Sequence, residues 1–380
     1  MRILYLTDQI YLHGGIEKVL SQKANYLADV SGDEVLIATY NQQGRRPVYA
    51  FSAKIQMFDL DINYEIGLSY FHPTNIRKIP AHRTALQTLL SQLKPDVVIS
   101  CSFGPDFYFL PWLETHIPKI KEFHGSRFFY KSPTASIKKK LFQRLNQFIE
   151  QNYNCLAFLN ESEKVFYTNA HIIIIPNPAE LTVEKTDYTS KKILAAGRIS
   201  PVKNFSDLIE AFSRLSKDFP AWELHFFGED YLSTQQKLEE QVLALGLNDQ
   251  VKFKGVTTDL KKEMRNYSIY AMTSETECFP MVLLEALSVG IPIVTYDSPT
   301  GPQHIVRNEE DSFLVPYKNL DIFTTQLKTL MSDENLRRKM GSAARENVQR
   351  FSIDKVMEQW TDLFLQLTGN SKPLPTQPQP

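Results

Sequence analysis

Residues 269–302, IYAMTSETECFPMVLLEALSVGIPIVTYDSPTGP, leave a chain few ways to fold. The apolar run Ile269–Met272 is short enough for a buried strand. A polar turn to Cys278 follows, and then a helix signature. Pro280 suits the first helical position, where its missing N–H costs nothing, and Gly290 suits the position just past the end. Ile291–Thr295 reads as a second buried strand. The unit is strand–loop–helix–strand, from which parallel sheets are built.

Two carboxylates stand out in this stretch. Glu285 lies in the second turn of a helix made mostly of Met, Val, Leu and Ala, a costly place for a charge without a partner. Glu277 sits in the loop before that helix, at the carboxyl ends of the strands, where open α/β sheets bind ligands. The backbone around Phe279, Pro280, Met281 and Val282 starts the helix and could hold a phosphate at its positive end. Either carboxylate alone is equally well read as a solvated group or a helix cap. The separation of seven residues, with Ser274, Phe279, the Glu285-Ala286 pair, Gly290, Pro292 and Gly301-Pro302 around it, resembles the E-x7-E signature of family 4 glycosyltransferases.

The same alternation of strand and helix runs through the chain. Strands are expected at residues 2–7, 34–39, 54–60, 97–100, 120–123, 156–159 and 172–175. A second set falls at 193–196, 224–227, 251–253, 269–272, 291–295 and 313–315. Helices are expected at about 16–28, 204–217, 234–245, 258–265 and 280–289, with a last one at 353–367. The proline-bearing stretch after Ile175 has no periodicity, which makes 179–190 the linker between an N-terminal domain, 1–178, and a C-terminal domain, 191–352. Residues 369–380, GNSKPLPTQPQP, read as a disordered tail. The fold class is α/β. Two such halves imply a cleft, and clefts between domains are favoured ligand sites. The arrangement resembles the GT-B fold, two Rossmann-like doubly wound domains facing a central cleft. In that fold the last helix commonly crosses back onto the N-terminal domain, which the resemblance implies for 353–367.

At 380 residues the chain can bury two sizeable cores. A net charge of −1 gives no basic face for nucleic acid. Residues 1–178 carry 19 Lys+Arg against 15 Asp+Glu, a mild excess compatible with a membrane-facing half. Cys101, Cys155 and Cys278 have neither metal nor disulfide spacing, so a reducing cytosol is expected. No apolar run reaches the ~20 residues that span a bilayer.

A second segment, AAGRISPVKNF at 195–205, places Gly197-Arg198 at a strand end and Lys203 before a helix. A guanidinium and an ammonium at one sheet edge suit a pyrophosphate, although either alone reads as a solvated cation. The spacing matches the family's GR-x4-K pattern. Such cations, with a helix end, can neutralise a leaving nucleotide in place of a divalent metal. The D-x-D string Asp59-Leu60-Asp61 is frequent by chance, and no metal or other cofactor is expected. Gly14 and Gly15 follow the first strand and could bring backbone close to a phosphate, or simply make a tight turn. With no G-x-G-x-x-G and no P-loop lysine, neither a dinucleotide nor an ATPase site is supported.

Other roles come from the resemblance alone. It implies that Glu277 contacts the donor sugar, Glu285 the ribose, Gly15 the phosphates, and Gly228 and Val256 the nucleotide. His124, in EFHGSRFF, follows an expected strand. Read alone it is a structural histidine, but with Gly125 giving room it resembles the family's active-site histidine beside the donor sugar. By its nearness Arg127 could steer an anionic acceptor. Glu229 stands where relatives often have a second glycine, and His304 where many have glutamate. Residues 137–149, IKKKLFQRLNQFI, form an amphipathic helix that can lie on an anionic membrane leaflet or pack on its own domain.

The expectation is a retaining, metal-independent, cytoplasmic hexosyltransferase, peripheral at most on the inner membrane. It would move a hexosyl or N-acetylhexosaminyl group from a UDP-linked donor to a glycan or lipid-linked saccharide acceptor in polysaccharide biosynthesis. The rivals are a GT-B-like nucleotide-sugar epimerase and a non-catalytic sugar-nucleotide-binding subunit of a polysaccharide assembly complex.

Overall fold

The computed structural model describes residues 1–128, 137–167 and 171–369. The expected tail from 370 onward lies outside them. The chain divides into two compact units, Met1–Pro178 with the chain from Ile353 onward, and Ala179–Ser352.

The first unit holds, among the described residues, seven parallel strands: β1 (Arg2–Thr7), β2 (Glu34–Thr39), β3 (Gln56–Asp59), β4 (Val97–Ser100), β5 (Lys119–Glu122), β6 (Cys155–Phe158) and β7 (Ile172–Ile174). Their order is β3-β2-β1-β4-β5-β6-β7. Every residue of β1 after Arg2 and of β2 after Glu34 is buried, as expected of parallel strands covered on both faces. Alternation divides them between two cores. Ile3, Tyr5, Ile37 and Ile99 pack with helix α1 (Gly15–Tyr26) and with α11 (Ile353–Leu367), which supplies Val356, Met357, Trp360, Leu363 and Phe364. Leu4, Leu36, Val98 and Phe158 pack on the other face with Leu86, Leu89 and Leu90 of α3 (Ile79–Leu93), which follows the short α2 (Pro73–Ile76). Helix α4 (Ile137–Glu150) leaves Leu141, Leu145 and Phe148 67%, 45% and 58% exposed.

The second unit is a six-stranded parallel sheet, again among the described residues: β8 (Lys192–Ala196), β9 (Glu223–Phe227), β10 (Val251–Phe253), β11 (Ile269–Met272), β12 (Ile293–Tyr296) and β13 (Ser312–Val315), in the order β10-β9-β8-β11-β12-β13. Its helices are α5 (Phe205–Ser213), α6 (Thr234–Ala244), α7 (Leu260–Met264), α8 (Met281–Val289), α9 (Leu320–Ser332) and α10 (Glu334–Asn347). Neither α9 nor α10 was anticipated, although Asn319 and Asp333 cap them by accepting from the N–H of Ile322 and Leu336.

Three details depart from the sequence expectation. Pro280 is the N-cap of α8 and Met281 its first helical residue, while Gly290 closes it in the left-handed region at φ +79°. β12 starts at Ile293, after Pro292, which has no N–H to give the ladder. Residues 179–190 are not a free linker but a strap packed as part of the second unit. The Thr186 N–H donates to Val289 O, the Asp187 N–H to Arg265 O, and the Arg337 guanidinium to Tyr188 O at 2.8 Å. A stretch without periodicity can be ordered when neighbouring elements satisfy its backbone.

Candidate functional site

In the second unit the chain winds outward from β8 in both directions, so β8 and its neighbour β11 form the topological switch point. In an open α/β sheet the loops at the carboxyl ends of such a strand pair are where ligands bind. Lys203 comes from the loop after β8 and Glu277 from the loop after β11. Lys203 Nζ donates to Glu277 Oε1 at 2.6 Å, with the side chains 20% and 12% exposed. The two loops are tied together by backbone. The Glu275 N–H donates to Val202 O at 2.7 Å and Thr273 Oγ1 to Asn204 O at 2.8 Å. Asn204 holds a left-handed φ of +47°, which turns the chain from the Lys203 loop into α5.

Two glycines make this edge tight. Gly197 follows β8 at φ +142° and Gly228 follows β9 at φ +155°. A Cβ on Gly228 would lie 1.9 Å from Gly197 O, and one on Gly197 would lie 3.0 Å from Lys203 Cε. Gly228 is therefore needed by the close approach of two loops, a reason independent of any ligand. Arg198 is exposed, its guanidinium 5.3 Å from the Tyr231 ring centre. Val256 follows β10 and is 57% exposed.

Gly301 sits against Glu277, and Thr300 Oγ1 donates to Glu277 O at 3.0 Å. Helix α8 starts after the same loop, with Phe279 buried and Glu285 partly exposed. First-turn N–H groups such as those of Met281 and Val282 have no acceptor within a helix. Burial raises the Tyr270 hydroxyl above its ordinary range, and the nearby Glu277 and Glu285 add to this. The sequence reading names Ser274 only as part of the family pattern and misses Thr276 and Ser298. Their hydroxyls are buried without a hydrogen-bond partner among the described residues, and unsatisfied groups at a sheet edge call for an explanation such as a ligand or water. The signal was available in the small hydroxyl residues that directly follow β11 and β12.

In the first unit the corresponding switch point lies between β1 and β4. Gly14 and Gly15 do start α1, but the helix end already meets a carboxylate. Glu17 is buried, and its Oε2 would lie 2.1 Å from a Cβ on Gly14. Its Oε1 accepts from Gln9 Nε2, and burial raises its pKa. One of the protein's own carboxylates thus stands beside the helix start where a phosphate is expected, while Gly15 keeps open space. His124 follows β5, its side chain 9% exposed and its Nε2 3.4 Å from Glu122 Oε1.

Arg127, expected to steer an acceptor, is engaged within its own unit. Its guanidinium is paired with both oxygens of Glu150, the last residue of α4, and lies 4.0 Å from the Tyr167 ring centre. The Asp59-Leu60-Asp61 string ends the edge strand β3 as a turn, with the Asp61 N–H donating to Asp59 Oδ1 at 3.1 Å.

Residues 178–347 match the family Glycosyl transferases group 1, and residues 13–182 match Glycosyltransferase Family 4. An exopolysaccharide phosphotransferase of Streptomyces coelicolor is 29% identical over 75% of this chain, but the match spans only 28% of that protein. An uncharacterised glycosyltransferase of Haemophilus influenzae is 27% identical, over 92% of this chain and 96% of the relative. Among solved structures, S. aureus TarM in complex with UDP, fondaparinux and alpha-GlcNAc-glycerol superposes with a TM-score of 0.78 at 16% identity. It covers 96% of this chain and 100% of that one.

Proposed function

The chain is a GT-B glycosyltransferase, family 4 in its N-terminal half, and from that premise we propose a retaining enzyme. It moves a hexosyl or N-acetylhexosaminyl group from a UDP-linked donor to a glycan or lipid-linked saccharide acceptor in polysaccharide synthesis. The observation that carries this reading is the Lys203–Glu277 pair at 2.6 Å across the β8/β11 switch point. Lys203, Arg198 and the start of α8 take the diphosphate, which frees Glu277 for the sugar hydroxyls. Glu285 faces the ribose, and His124 orients the sugar. Charge building on the departing UDP is met by fixed cations and a helix end, without a metal. The complex of TarM with UDP supports the choice of nucleotide.

Release of UDP from UDP-glucose and UDP-N-acetylglucosamine tests the assignment. Lys203→Ala should lower kcat by roughly 10²-fold, the scale for losing one stabiliser of developing charge. Unchanged turnover removes Lys203 from the diphosphate.

The protein works in the cytosol, with α4 against an anionic leaflet. The exposed Leu141, Leu145 and Phe148, flanked by Lys140 and Arg144, support this. Sedimentation with phosphatidylglycerol vesicles should fall several-fold in Leu145→Glu; equal sedimentation of the two proteins rejects the contact.

A further inference from the structure

β5 alternates across its sheet, so Ile120 and Glu122 face the layer of α1 and α11, and His124 continues on the same side. Glu122 is 2% exposed. Its two oxygens accept from Lys23 Nζ at 2.7 and 2.8 Å, and Cys101 Sγ lies 3.6 Å from Oε2. Oε1 is also 3.4 Å from His124 Nε2. Lys23, on α1, is itself 1% exposed, with its ammonium 3.7 Å from the centre of the Trp360 ring and 5.6 Å from that of Tyr5.

Burying an ion pair this deeply costs desolvation, and hydrocarbon of the same volume often serves stability as well or better. Stability alone therefore gives little reason for a carboxylate here. What sets this pair apart is the imidazole beside it: of the two Glu122 oxygens that accept from Lys23, Oε1 is also the one that faces His124. We propose that Glu122 is the positioning residue of His124, holding its ring in the Nε2–H tautomer, and that Lys23 sets how much of the carboxylate's charge the ring feels.

The electrostatics agree. Burial would raise the Glu122 carboxyl, but its neighbours, the Lys23 ammonium foremost, hold the group below the usual carboxylate range. Lys23 and Glu122 together are neutral, so the ring faces a compensated carboxylate rather than a bare one. Glu17 on α1 also couples to the ring, and Asp8 after β1 couples to Glu17. Tyr5 and Cys101 are held in their neutral forms by burial. A neutral ring that donates from Nε2 keeps Nδ1 as an acceptor. That nitrogen suits a sugar hydroxyl, whereas an imidazolium would suit a phosphate. Positioning through Glu122 deepens the assignment of His124 to the donor sugar and rests on it.

Side-chain ¹⁵N NMR tests it, with the His124 signal assigned by its loss in His124→Asn. At pH 7.5 the wild-type ring should be the Nε2–H tautomer. Its titration midpoint should rise by about 1 pH unit in Lys23→Met and fall by about 1 in Glu122→Gln. An Nδ1–H tautomer, or midpoints that coincide in all three proteins, overturns the proposal. If Glu122→Gln does not fold, the wild-type tautomer and the Lys23→Met midpoint decide. UDP-glucose and UDP-N-acetylglucosamine are then added. If the Nε2–H tautomer and the midpoint shifts hold but the His124 signal answers neither donor, the positioning stands and the donor role of His124 falls.

Discussion

Lys203 and Glu277 neutralise each other at 2.6 Å while both remain partly open to solvent. A diphosphate would give the lysine a more highly charged partner, and Glu277, released from it, would then need hydroxyl donors to satisfy its oxygens. His82 shows the opposite use of a titratable group. It is 1% exposed, its Nδ1 3.1 Å from Tyr64 Oη, and burial pushes its pKa down to about 4. The unfolded chain, with an ordinary histidine near 6.5, binds more protons between those values. The stability carried by neutral His82 is therefore complete above about pH 6.5 and is lost as pH falls toward 4, by about 3 kcal/mol. Urea unfolding at pH 6.5 and pH 4 should show that extra loss in the wild type and not in His82→Gln; equal losses reject it. The sequence exposed Lys203, Glu277 and Glu285 because motif spacing survives without coordinates. It hid Glu122 and Lys23, which are 99 residues apart and belong to no local pattern.

Helix α8 needs glycine at its end and on its neighbour. Gly290 takes φ +79°, and a Cβ on Gly341 of α10 would lie 2.2 Å from Gly290 O and 2.4 Å from Tyr188 Oη. Gly341→Ala should therefore force the two helices apart and cost about 1–3 kcal/mol through overpacking, read as a lower Tm. An unchanged Tm would mean that the contact can relax. The buried parallel strands were readable to within about two residues because an apolar run between turn signals has one plausible use. The amphipathic helices α9 and α10 carry no motif to mark them in the sequence. At α1 the helix start was legible, but the Glu17 carboxylate beside it was not, since its partner Gln9 comes from the loop after β1.

The whole molecule has two sets of cores, one in each unit. Trp360 is 1% exposed and belongs to the first unit although it lies beyond the second in sequence. Trp360→Ala should destabilise the first unit by about 3–5 kcal/mol and leave the second unit's transition in place. Calorimetry can separate the two transitions. UDP at 100 times its dissociation constant should raise the second unit's transition, by about 2.7 kcal/mol; a UDP effect on the first transition alone would move the nucleotide site. By itself the sequence determined the strand–helix alternation, the two α/β halves and the E-x7-E and GR-x4-K groups, because periodicity and spacing are local and each residue carries its own preference. Only the tertiary structure decided that Lys203 meets Glu277, that Arg127 is tied to α4, that Glu17 stands beside the first helix start, and that Glu122 links Lys23 to His124. Those outcomes depend on which strands become neighbours and on how deeply a charge is buried, and neither is written in any single stretch of chain.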